Sequence, residues 1–207
     1  MFNGIIYNFG IIKRIKKSPK YVVGSLVLEI QSDIKFKKTD IGESVCVDGV
    51  CLTLIKILKK SFLFYLSKET LNRSNFKYAR VGKLLNIEKS LNFGNKVSGH
   101  YVQGHVDTTA TVNKITIIDK SWIIDFNIKR KYLIYLIEKG SISVNGVSLT
   151  ISKVTNKGFQ ITVIPHTLKL TNLVKLKKNS LVNIEFDIFS KYLLKLTNHL
   201  WKKTYLL

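Results

Sequence analysis

The segment GESVCVDGVCLTLIK, residues 42–56, decides how this 207-residue chain folds. β-Branched runs flank Asp48-Gly49, and an Asp-Gly pair in that position is a strong signal for a tight β-hairpin. A second copy, SISVNGVSLTISKV at residues 141–154, has Asn145-Gly146 at the same point. The sequence therefore predicts two hairpins of one design, one in each half of the chain.

The hairpins belong to a longer repeat. Gly146 follows Gly49 by 97 positions (146 − 49), and several other pairs keep this spacing. They are Phe62 and Phe159, Thr70 and Thr167, Leu71 and Leu168, Asn75 and Asn172, and LNIE from Leu85 with VNIE from Val182. Near the two starts the spacing becomes 100, with Gly4-Ile5-Ile6 over Gly104-His105-Val106. A unit of this length that occurs twice, over residues 1–90 and 98–187, predicts two duplicated domains rather than a solenoid.

Short β-rich segments recur within each unit. Besides the hairpins, SFLFYL, WIIDFNI, FQITVI and VNIEFDI have the composition of strands. Several short strands with turns between them are typical of a small antiparallel barrel. We therefore predict an all-β protein with a few helices, in which residues 1–97 and 98–189 form two barrels and residues 190–207 form a C-terminal helix.

Two segments have helical spacing. Residues 129–139 carry apolar residues three and four apart and precede Gly140, a residue that often follows the end of a helix. Residues 190–205 carry a second apolar stripe, which lies outside the repeat. The two stripes consist of Leu133, Leu136 and Ile137, and of Leu193, Leu196 and Leu200 with Trp201 beside them. We expect the second stripe to contact another subunit.

The net charge of +21, from 34 Lys and Arg against 13 Asp and Glu, suggests a nucleic-acid partner. Only four of the basic residues are arginine, the usual reader of bases and phosphates, and the lysines are spread along the chain. A specific nucleic-acid site is therefore not expected. An RNA-binding barrel, which nine tyrosines would also support, lacks an exposed aromatic platform in the pattern.

The cysteines and the N-terminus indicate a cytoplasmic protein. Cys46 and Cys51 are the only cysteines and do not form a CxxC pair, so reduced thiols are the simpler expectation. The opening MFNGIIYNFGII reaches its first charge at Lys13, unlike a signal peptide. No uncharged apolar run approaches the roughly 18 residues of a membrane span.

Polar residues occupy matched positions inside apolar strands. The matched pairs are Thr53 with Thr150, Cys51 with Ser148, and Cys46 with Ser143. A buried hydroxyl needs a partner, which is either a ligand amide or a neighbouring backbone carbonyl. Other matched positions differ, as Glu69 and His166 do, or Ile5 and His105. Unless the duplication only doubles the core, the chain has two pockets that are alike in shape and unlike in chemistry.

Common catalytic constellations are missing from the sequence. There is no GxGxxG, Walker loop or GxSxG, so no nucleotide cofactor is implied. His100 and His105 are five positions apart, which on a regular strand places them on opposite faces, so a shared metal is not expected. His166 fits a solvated loop, and His199 fits the surface of the last helix.

Six motifs together resemble the riboflavin synthase family, from residue 1 to about residue 193. They are Met1-Phe2-Asn3-Gly4-Ile5-Ile6, Gly49-Val50-Cys51-Leu52-Thr53, His100-Tyr101-Val102-Gln103-Gly104-His105-Val106-Asp107, Glu138-Lys139-Gly140-Ser141-Ile142, Gly146-Val147-Ser148-Leu149-Thr150 and Ile164-Pro165-His166-Thr167-Leu168. One such motif would be weak, but this number in the family's order and spacing is specific.

The resemblance implies two six-stranded Greek-key barrels and a C-terminal helix that assembles a homotrimer. It implies dismutation of two molecules of 6,7-dimethyl-8-ribityllumazine, one of which gives a four-carbon unit to the other. The products are riboflavin and 5-amino-6-(ribitylamino)uracil. The family requires no cofactor or metal, its sites lie between barrels of neighbouring subunits, and lumazine synthase is a candidate partner.

The family's pockets carry over onto two sets of residues. The N-terminal pocket takes Gly4, Ile5, Ile6, Ser44, Cys51, Leu52, Thr53, Tyr65, Leu66, Ser67, Lys68, Glu69 and Thr70. The C-terminal pocket takes Gly104, His105, Val106, Lys139, Ser148, Leu149, Thr150, Thr162, Val163, Ile164, Pro165, His166 and Thr167.

The implied reaction needs a base to remove a proton from the C7 methyl group of one lumazine and a nucleophile to open the other ring. The candidate catalytic residues are Cys51, His105, Ser148, Asp187, Ser44 and His100, with Lys139 close by. The base stays unassigned. Positioning two flat rings in register can supply about 7–11 kcal/mol, and general acid–base help roughly 10²–10⁴-fold.

The chain departs from the family pattern at a few positions. Ser98 stands where a glycine is common and Gln103 where a serine is common. Asn145 replaces the usual aspartate of the second hairpin, while Asp48 occupies the first, and Ser67-Lys68 precedes Glu69 where a proline is frequent. The alternative function is a lumazine- or flavin-binding protein without catalysis. The joint presence of Cys51, His105, Lys139 and Ser148 favours the enzyme.

Overall fold

The computed structural model describes residues 1–17 and 24–204, with side chains as far as Thr197. The predicted roles of His199, Leu200 and Trp201 on the last helix therefore lie outside the described side chains. No helix in the described part of the chain is long and apolar enough to cross a membrane.

The first half folds into a closed six-stranded barrel. Its strands are β1 (Asn8–Lys17), β2 (Leu26–Ser32), β3 (Ser44–Val47), β4 (Val50–Ile57), β5 (Ser61–Leu66) and β6 (Leu84–Lys89). They pair in the antiparallel order β1-β2-β5-β4-β3-β6, and β6 closes the ring on β1. This order is a Greek key, so neighbouring strands along the chain are not always neighbours in the barrel. Inward side chains such as Leu28, Ile30, Leu54 and Phe64 are fully buried.

The second half repeats this barrel strand for strand. Its strands are β7 (Thr108–Ile118), β8 (Ser121–Asn127), β9 (Ser141–Val144), β10 (Val147–Val154), β11 (Gly158–Val163) and β12 (Leu181–Phe186). The strands pair in the closed order β10-β11-β8-β7-β12-β9. Read from β7, this ring is β7-β8-β11-β10-β9-β12, the order of the first barrel with six added to each strand number. The predicted duplicated barrels are confirmed. The boundary between residues 97 and 98 stays a prediction from the repeat.

Both hairpins that the sequence predicts are present. Asp48 and Gly49 have φ angles of 47° and 79°, and Asn145 and Gly146 have 47° and 81°. Two successive residues with positive φ form the tight turn that matches the right-handed twist of the strands. The turns join β3 to β4 and β9 to β10, and they bring Cys46 opposite Cys51 and Ser143 opposite Ser148.

The helices follow the prediction in part. Short helices α1 (Lys68–Arg73) and α2 (Pro165–Leu170) lie at matched positions after β5 and β11, and the C-terminal helix α3 spans Ile188–Thr204. Each of α1 and α2 is followed by a 3₁₀ helix, at Asn75–Tyr78 and Asn172–Lys175, and a further short 3₁₀ helix lies at Lys38–Asp40. The predicted C-terminal helix is confirmed.

The helix predicted over residues 129–139 is wrong, because Arg130–Tyr135 forms a 3₁₀ helix instead. Tyr132 and Tyr135, three positions apart, both stack on Phe186, with ring centroids 5.7 and 5.1 Å away. Residues i and i+3 eclipse each other in a 3₁₀ helix, which suits two rings on one surface. Gly140 donates to the Ile137 carbonyl at 2.9 Å, so it closes a turn and does not end an α-helix.

The two hairpin turns meet where the barrels contact each other. A Cβ atom placed on Gly49 would lie 2.7 Å from the backbone nitrogen of Gly146, and one on Gly146 would lie 2.8 Å from that of Gly49. Around this contact lies a ring of buried polar side chains at matched positions. They are Asp48 and Asn145, Asn75 and Asn172, and Asn86 and Asn183.

Hydrogen bonds through this ring cross from one barrel to the other. Asn86 donates to the Asn145 carbonyl at 2.9 Å, and Asn183 donates to the Asp48 carbonyl at 2.8 Å. Asn172 also donates to Asp48 Oδ1 at 2.8 Å, and Lys83 Nζ lies 3.0 Å from Asp48 Oδ2. A buried carboxylate is stable only with a charged or hydrogen-bonding partner, and Asp48 has both Lys83 and Asn172.

Candidate functional site

Each of the two short segments that precede a barrel in the sequence contacts the other barrel. Gly4 accepts a hydrogen bond from the Ser148 N–H at 2.8 Å, although Ser148 lies on the second barrel. Gly104 accepts one from the Cys51 N–H of the first barrel, also at 2.8 Å. An isolated antiparallel bridge between Phe2 and Val102 joins the residues that directly precede the two segments. We call residues 3–6 and 103–106 the exchanged segments.

The packing of the apolar side chains shows the same exchange. Ile6 belongs to the core of the second barrel, whereas Val106 packs against the core of the first. Gly4 and Ile6 therefore contact the second barrel, and Gly104 and Val106 contact the first. Ile5 instead lines a cavity together with Ile34 and Ile87 of the first barrel. The assignment of these residues to the pocket of a bound molecule stays a prediction. Each barrel is completed by the segment that precedes the other.

Close approach requires glycine in each exchanged segment. A Cβ on Gly4 would lie 2.6 Å from the Cβ of Ser148, and one on Gly104 would lie 2.7 Å from the backbone nitrogen of Cys51. Both glycines also have positive φ angles, 74° and 76°. Only glycine combines that conformation with so close a contact to a neighbouring strand.

On the second barrel, Ser148 pairs with a histidine. His100 Nδ1 lies 2.7 Å from Ser148 Oγ, and the His100 side chain is buried. Burial lowers the pKa of His100, and the nearby Asp187 carboxylate acts in the opposite direction. A neutral imidazole can accept the Ser148 hydroxyl proton in a hydrogen bond. His100 Nε2 is buried and has no hydrogen-bond partner in the described part of the chain. We call this arrangement, which is defined by the Ser148 and His100 side chains, the serine pocket.

On the first barrel, the matched position holds Cys51 beside a cavity of about 320 Å³. The cavity is lined by Cys51, Glu69, Thr70, His105 and Val106, among others. Cys51 is partly exposed, whereas Cys46 is buried and burial raises the pKa of its thiol well above the ordinary value. We call this arrangement the cysteine pocket. His100 and His105, predicted to be separated, lie in different pockets.

The helices after β5 and β11 carry the remaining polar candidates. Ser67 caps α1 by accepting the Thr70 N–H at 3.1 Å, and Glu69 forms an exposed ion pair with Arg73 at 2.7 Å. The cap fixes the start of α1 where the family often has proline. At the matched place α2 begins with Pro165, which leaves His166 exposed at its first turn.

The remaining predicted pocket residues differ in how far their side chains are exposed in the single chain. Tyr65 and Thr167 are partly buried, and Leu149 packs against the second core. Leu52, Leu66 and Val163 are buried in the barrels, and Lys68, Lys139, Thr162 and Ile164 are exposed.

The expected burial of the two matched threonines is wrong. Thr53 and Thr150 are exposed, because successive strand residues face opposite sides of a sheet. Leu52 and Leu54 beside Thr53 face the first core, and Leu149 and Ile151 beside Thr150 pack in the second. Ser44, partly buried, lies across the strand pair from Thr53. Cys46 and Ser143 are buried, as expected of their matched positions.

Two glutamates at the site escaped the sequence-based prediction. Glu88 accepts the N–H groups of Asn3 at 2.7 Å and Gly4 at 3.0 Å. Glu185 accepts those of Gln103 at 2.7 Å, Gly104 at 2.8 Å and His105 at 3.1 Å. The sequence signal for them was the repeated LNIE and VNIE, in which an acidic residue lies near the end of an otherwise buried strand in both copies.

The departures from the family pattern fall on backbone contacts or on the barrel interface. Ser98 uses its N–H, which donates to Asn3 Oδ1 at 2.8 Å, and Gln103 uses its N–H toward Glu185. Residues with other side chains can make the same bonds. Asn145 Oδ1 accepts the Asn183 N–H at 2.8 Å, so the changed hairpin residue lies in the ring between the barrels.

Comparison with known proteins agrees with the duplicated fold. Residues 3–90 and 103–187 each match the lumazine binding domain family. The chain is thus a tandem lumazine-binding-domain protein. It is similar to LumP in complex with 6,7-dimethyl-8-(1'-D-ribityl)lumazine, with a TM-score of 0.76 and 27% identity over 89% of this chain and 98% of LumP. It is also similar to LumP with riboflavin, with a TM-score of 0.77 and 28% identity over 90% and 99%.

Curated relatives narrow the class further. Riboflavin synthase from Photobacterium phosphoreum is 36% identical over 95% of this chain and 88% of its own length. That from Buchnera aphidicola is 33% identical over 98% of this chain and 97% of its own length. The chain belongs to the riboflavin synthase family of enzymes.

Proposed function

We propose that this protein catalyses the dismutation of two molecules of 6,7-dimethyl-8-ribityllumazine. One molecule gives up a four-carbon unit and becomes 5-amino-6-(ribitylamino)uracil, and the other accepts the unit and becomes riboflavin. The two substrate molecules supply every atom of both products, so the transfer needs no external oxidant or reductant.

The matched but unequal arrangements of side chains around Ser148 and around Cys51 are the observation that carries the proposal. The exchanged segments give both pockets the same backbone frame, in which a glycine carbonyl accepts the N–H of Ser148 or Cys51 at 2.8 Å. The side chains differ, since Ser148 is hydrogen bonded to His100 and Cys51 lies beside His105. Two identical molecules with opposite roles need this kind of inequality.

The pockets divide the predicted site residues between two bound molecules. Backbone groups of the exchanged segments and of β4 and β10 that are not already paired within the protein would bind the pteridine edge, with the exposed Thr53 and Thr150 hydroxyls adding direction. In the serine pocket, the Ser148–His100 pair can move a proton at the Ser148 oxygen. In the cysteine pocket, Cys51 offers a polarisable sulfur at the same position.

The C-terminal helix supports assembly into a homotrimer. Its surface exposes Phe189, Tyr192, Leu193 and Leu196, each about 60% accessible. Large apolar side chains clustered on one exposed helix are typical of subunit contacts. The active sites would then form between the first barrel of one subunit and the second barrel of its neighbour.

Leu193→Asp combined with Leu196→Asp is expected to convert the trimer to monomers, because two charges cannot be buried in an apolar contact without partners. Light scattering after size-exclusion chromatography measures the mass, and the same samples report riboflavin formation. Monomers should retain the circular dichroism of the barrels and lose most activity. A double variant that remains trimeric would contradict the assignment of this surface, as would an active monomer. Lys195→Asp, on the same helix, is the charge control.

Riboflavin formation without any added cofactor tests the proposed reaction. Purified protein incubated with 6,7-dimethyl-8-ribityllumazine should yield riboflavin equal to half of the lumazine consumed, followed by absorbance and fluorescence. A different ratio would exclude dismutation. Heat-denatured protein is the control for spontaneous conversion.

The second candidate function is binding of lumazine or a flavin without catalysis. The similarity to LumP, whose solved structures hold lumazine, flavin mononucleotide and riboflavin, favours it. Tight binding of lumazine with no riboflavin formed, under conditions where the protein is assembled, would select this function. Absence of lumazine binding would refute both.

A further inference from the structure

The backbone of each exchanged segment is hydrogen bonded to a carboxylate of the barrel that follows that segment in the sequence. Glu88 is the penultimate residue of β6 in the first barrel and Glu185 that of β12 in the second, at the repeat spacing of 97 (185 − 88). Both side chains are buried, with 8% and 2% of their surface accessible. Each glutamate accepts backbone N–H groups of an exchanged segment with both carboxylate oxygens, Glu88 from residues 3–4 and Glu185 from residues 103–104.

Each held segment then reaches the pocket of the opposite barrel. Glu88 accepts from Gly4, whose carbonyl in turn accepts from Ser148 on the second barrel. Glu185 accepts from Gly104, whose carbonyl accepts from Cys51 on the first barrel. One residue therefore separates each glutamate from a pocket strand that belongs to the other half of the molecule.

A second connection runs from Glu88 toward His100. Glu88 Oε1 accepts the Asn3 N–H, and Asn3 Oδ1 accepts the N–H groups of Ser98 and Gly99 at 2.8 Å each. The next residue is His100, which contacts Ser148 Oγ. Glu88 thus supports both the backbone and the histidine of the serine pocket.

The carboxylate chemistry suits this position. An ionised carboxylate only accepts hydrogen bonds and has two oxygens for adjacent N–H groups, whereas a glutamine amide would turn its own N–H₂ group toward one of them. Burial raises the pKa of Glu88 to about 7, although the hydrogen bonds from Asn3, Gly4 and Ile5 act in the opposite direction. The buried charge is therefore held at a cost that the segment's donors offset only in part.

We propose that Glu88 and Glu185 are positioning residues that act across the barrel boundary, Glu88 on the serine pocket and Glu185 on the cysteine pocket. Neither glutamate is assigned contact with the reacting atoms. The assignment rests on the proposed function only for the identity of the molecule that occupies the pockets.

A single thiol can report on each pocket in turn. Burial and the charges of Glu88 and Glu185 raise the thiol pKa of Cys46, so every background also carries Cys46→Ser and the alkylation by iodoacetamide reports on the remaining thiol, Cys51. A Cys51→Ser, Ser148→Cys background moves the reactive thiol to the serine pocket. Mass spectrometry of the intact protein gives the alkylation rate in each background, with and without 6,7-dimethyl-8-ribityllumazine.

Glu185→Gln is expected to raise the alkylation rate of Cys51 about tenfold and to weaken its protection by lumazine, while Glu88→Gln leaves both nearly unchanged. In the second background the pattern should reverse. The unaffected pocket of each variant is the internal control for folding, because a general loosening of the barrels would change both reporters together.

Equal changes in both pockets, no change in either, or a change confined to the glutamate's own barrel would overturn the proposal. If a glutamine variant does not fold, Glu88→Asp and Glu185→Asp, which keep the charge and withdraw it by one methylene, carry the same comparison. The rates are measured without turnover. A protein that binds lumazine and makes no riboflavin would therefore refute the proposed reaction and still test the glutamates.

Discussion

Gly49→Ala is expected to destabilise the protein by about 3 kcal/mol, because it combines overpacking with an unfavourable backbone conformation. The new Cβ would lie 2.7 Å from the backbone nitrogen of Gly146, at a φ angle of 79°. Backbone atoms of the opposite turn cannot rotate away as a side chain can. The barrels would have to separate, and the buried hydrogen bonds around the contact would be strained. Urea unfolding followed by circular dichroism measures the loss.

Gly82→Ala is the matched control for this substitution. Gly82 has a similar φ angle of 86°, and a Cβ there would meet no atom within 4 Å. It should therefore show only the conformational cost, about 1 kcal/mol. Gly146→Ala should resemble Gly49→Ala, since its Cβ would lie 2.8 Å from the Gly49 nitrogen. Equal losses for Gly49→Ala and Gly82→Ala would show that the contact between the turns does not constrain the barrels.

The features that follow local rules could be predicted from the sequence. Asp48-Gly49 and Asn145-Gly146 encode their turns through the conformations that these residues tolerate, and the apolar runs around them encode strands. The spacing of Leu193 and Leu196 encodes the last helix. Strand alternation also placed Thr53 outside, because Leu52 and Leu54 on either side must share the core. The expectation of a buried hydroxyl there ignored that alternation.

The exchange of the two segments could not be read from the sequence. A repeat shows that residues 3–6 and 103–106 are equivalent, and equivalent segments fit equally well on either of two equivalent barrels. The choice between them depends on how the chain passes from one barrel to the other, which is a property of the whole fold. Glu88 and Glu185 were visible as matched residues, but their function depends on where the exchanged segments lie.

The ring of asparagines shows the same limit. Two pairs of asparagines in this ring are identical in the two copies at the repeat spacing, so they indicate how the copies align, Asn75 with Asn172 and Asn86 with Asn183. Their burial and mutual hydrogen bonds arise only when the two hairpin turns meet. Polar residues that repeat in both copies of a duplicated domain can therefore indicate the contact between the copies as well as a ligand pocket.

His100→Gln is expected to lower the rate of riboflavin formation by about 10²-fold or more, the usual contribution of a positioned acid–base group. His100 Nδ1 lies 2.7 Å from Ser148 Oγ, so the imidazole can take and return the hydroxyl proton. Burial lowers the pKa of His100 below its ordinary value of 6.5. The neutral, accepting form is therefore present above that lowered pKa and is lost as the pH falls through it.

The acidic limb of the wild-type pH profile should accordingly lie below pH 6.5 and disappear in His100→Gln. Ser148→Ala should lower the rate to a similar extent, and the double variant should lose little more than either single variant, because two groups that act as a unit are not additive. Cys51→Ala, in the other pocket, should combine with His100→Gln independently. If the losses from His100→Gln and Ser148→Ala simply multiplied, the hydrogen bond between them would have no part in catalysis. The serine pocket would then contribute by shape alone.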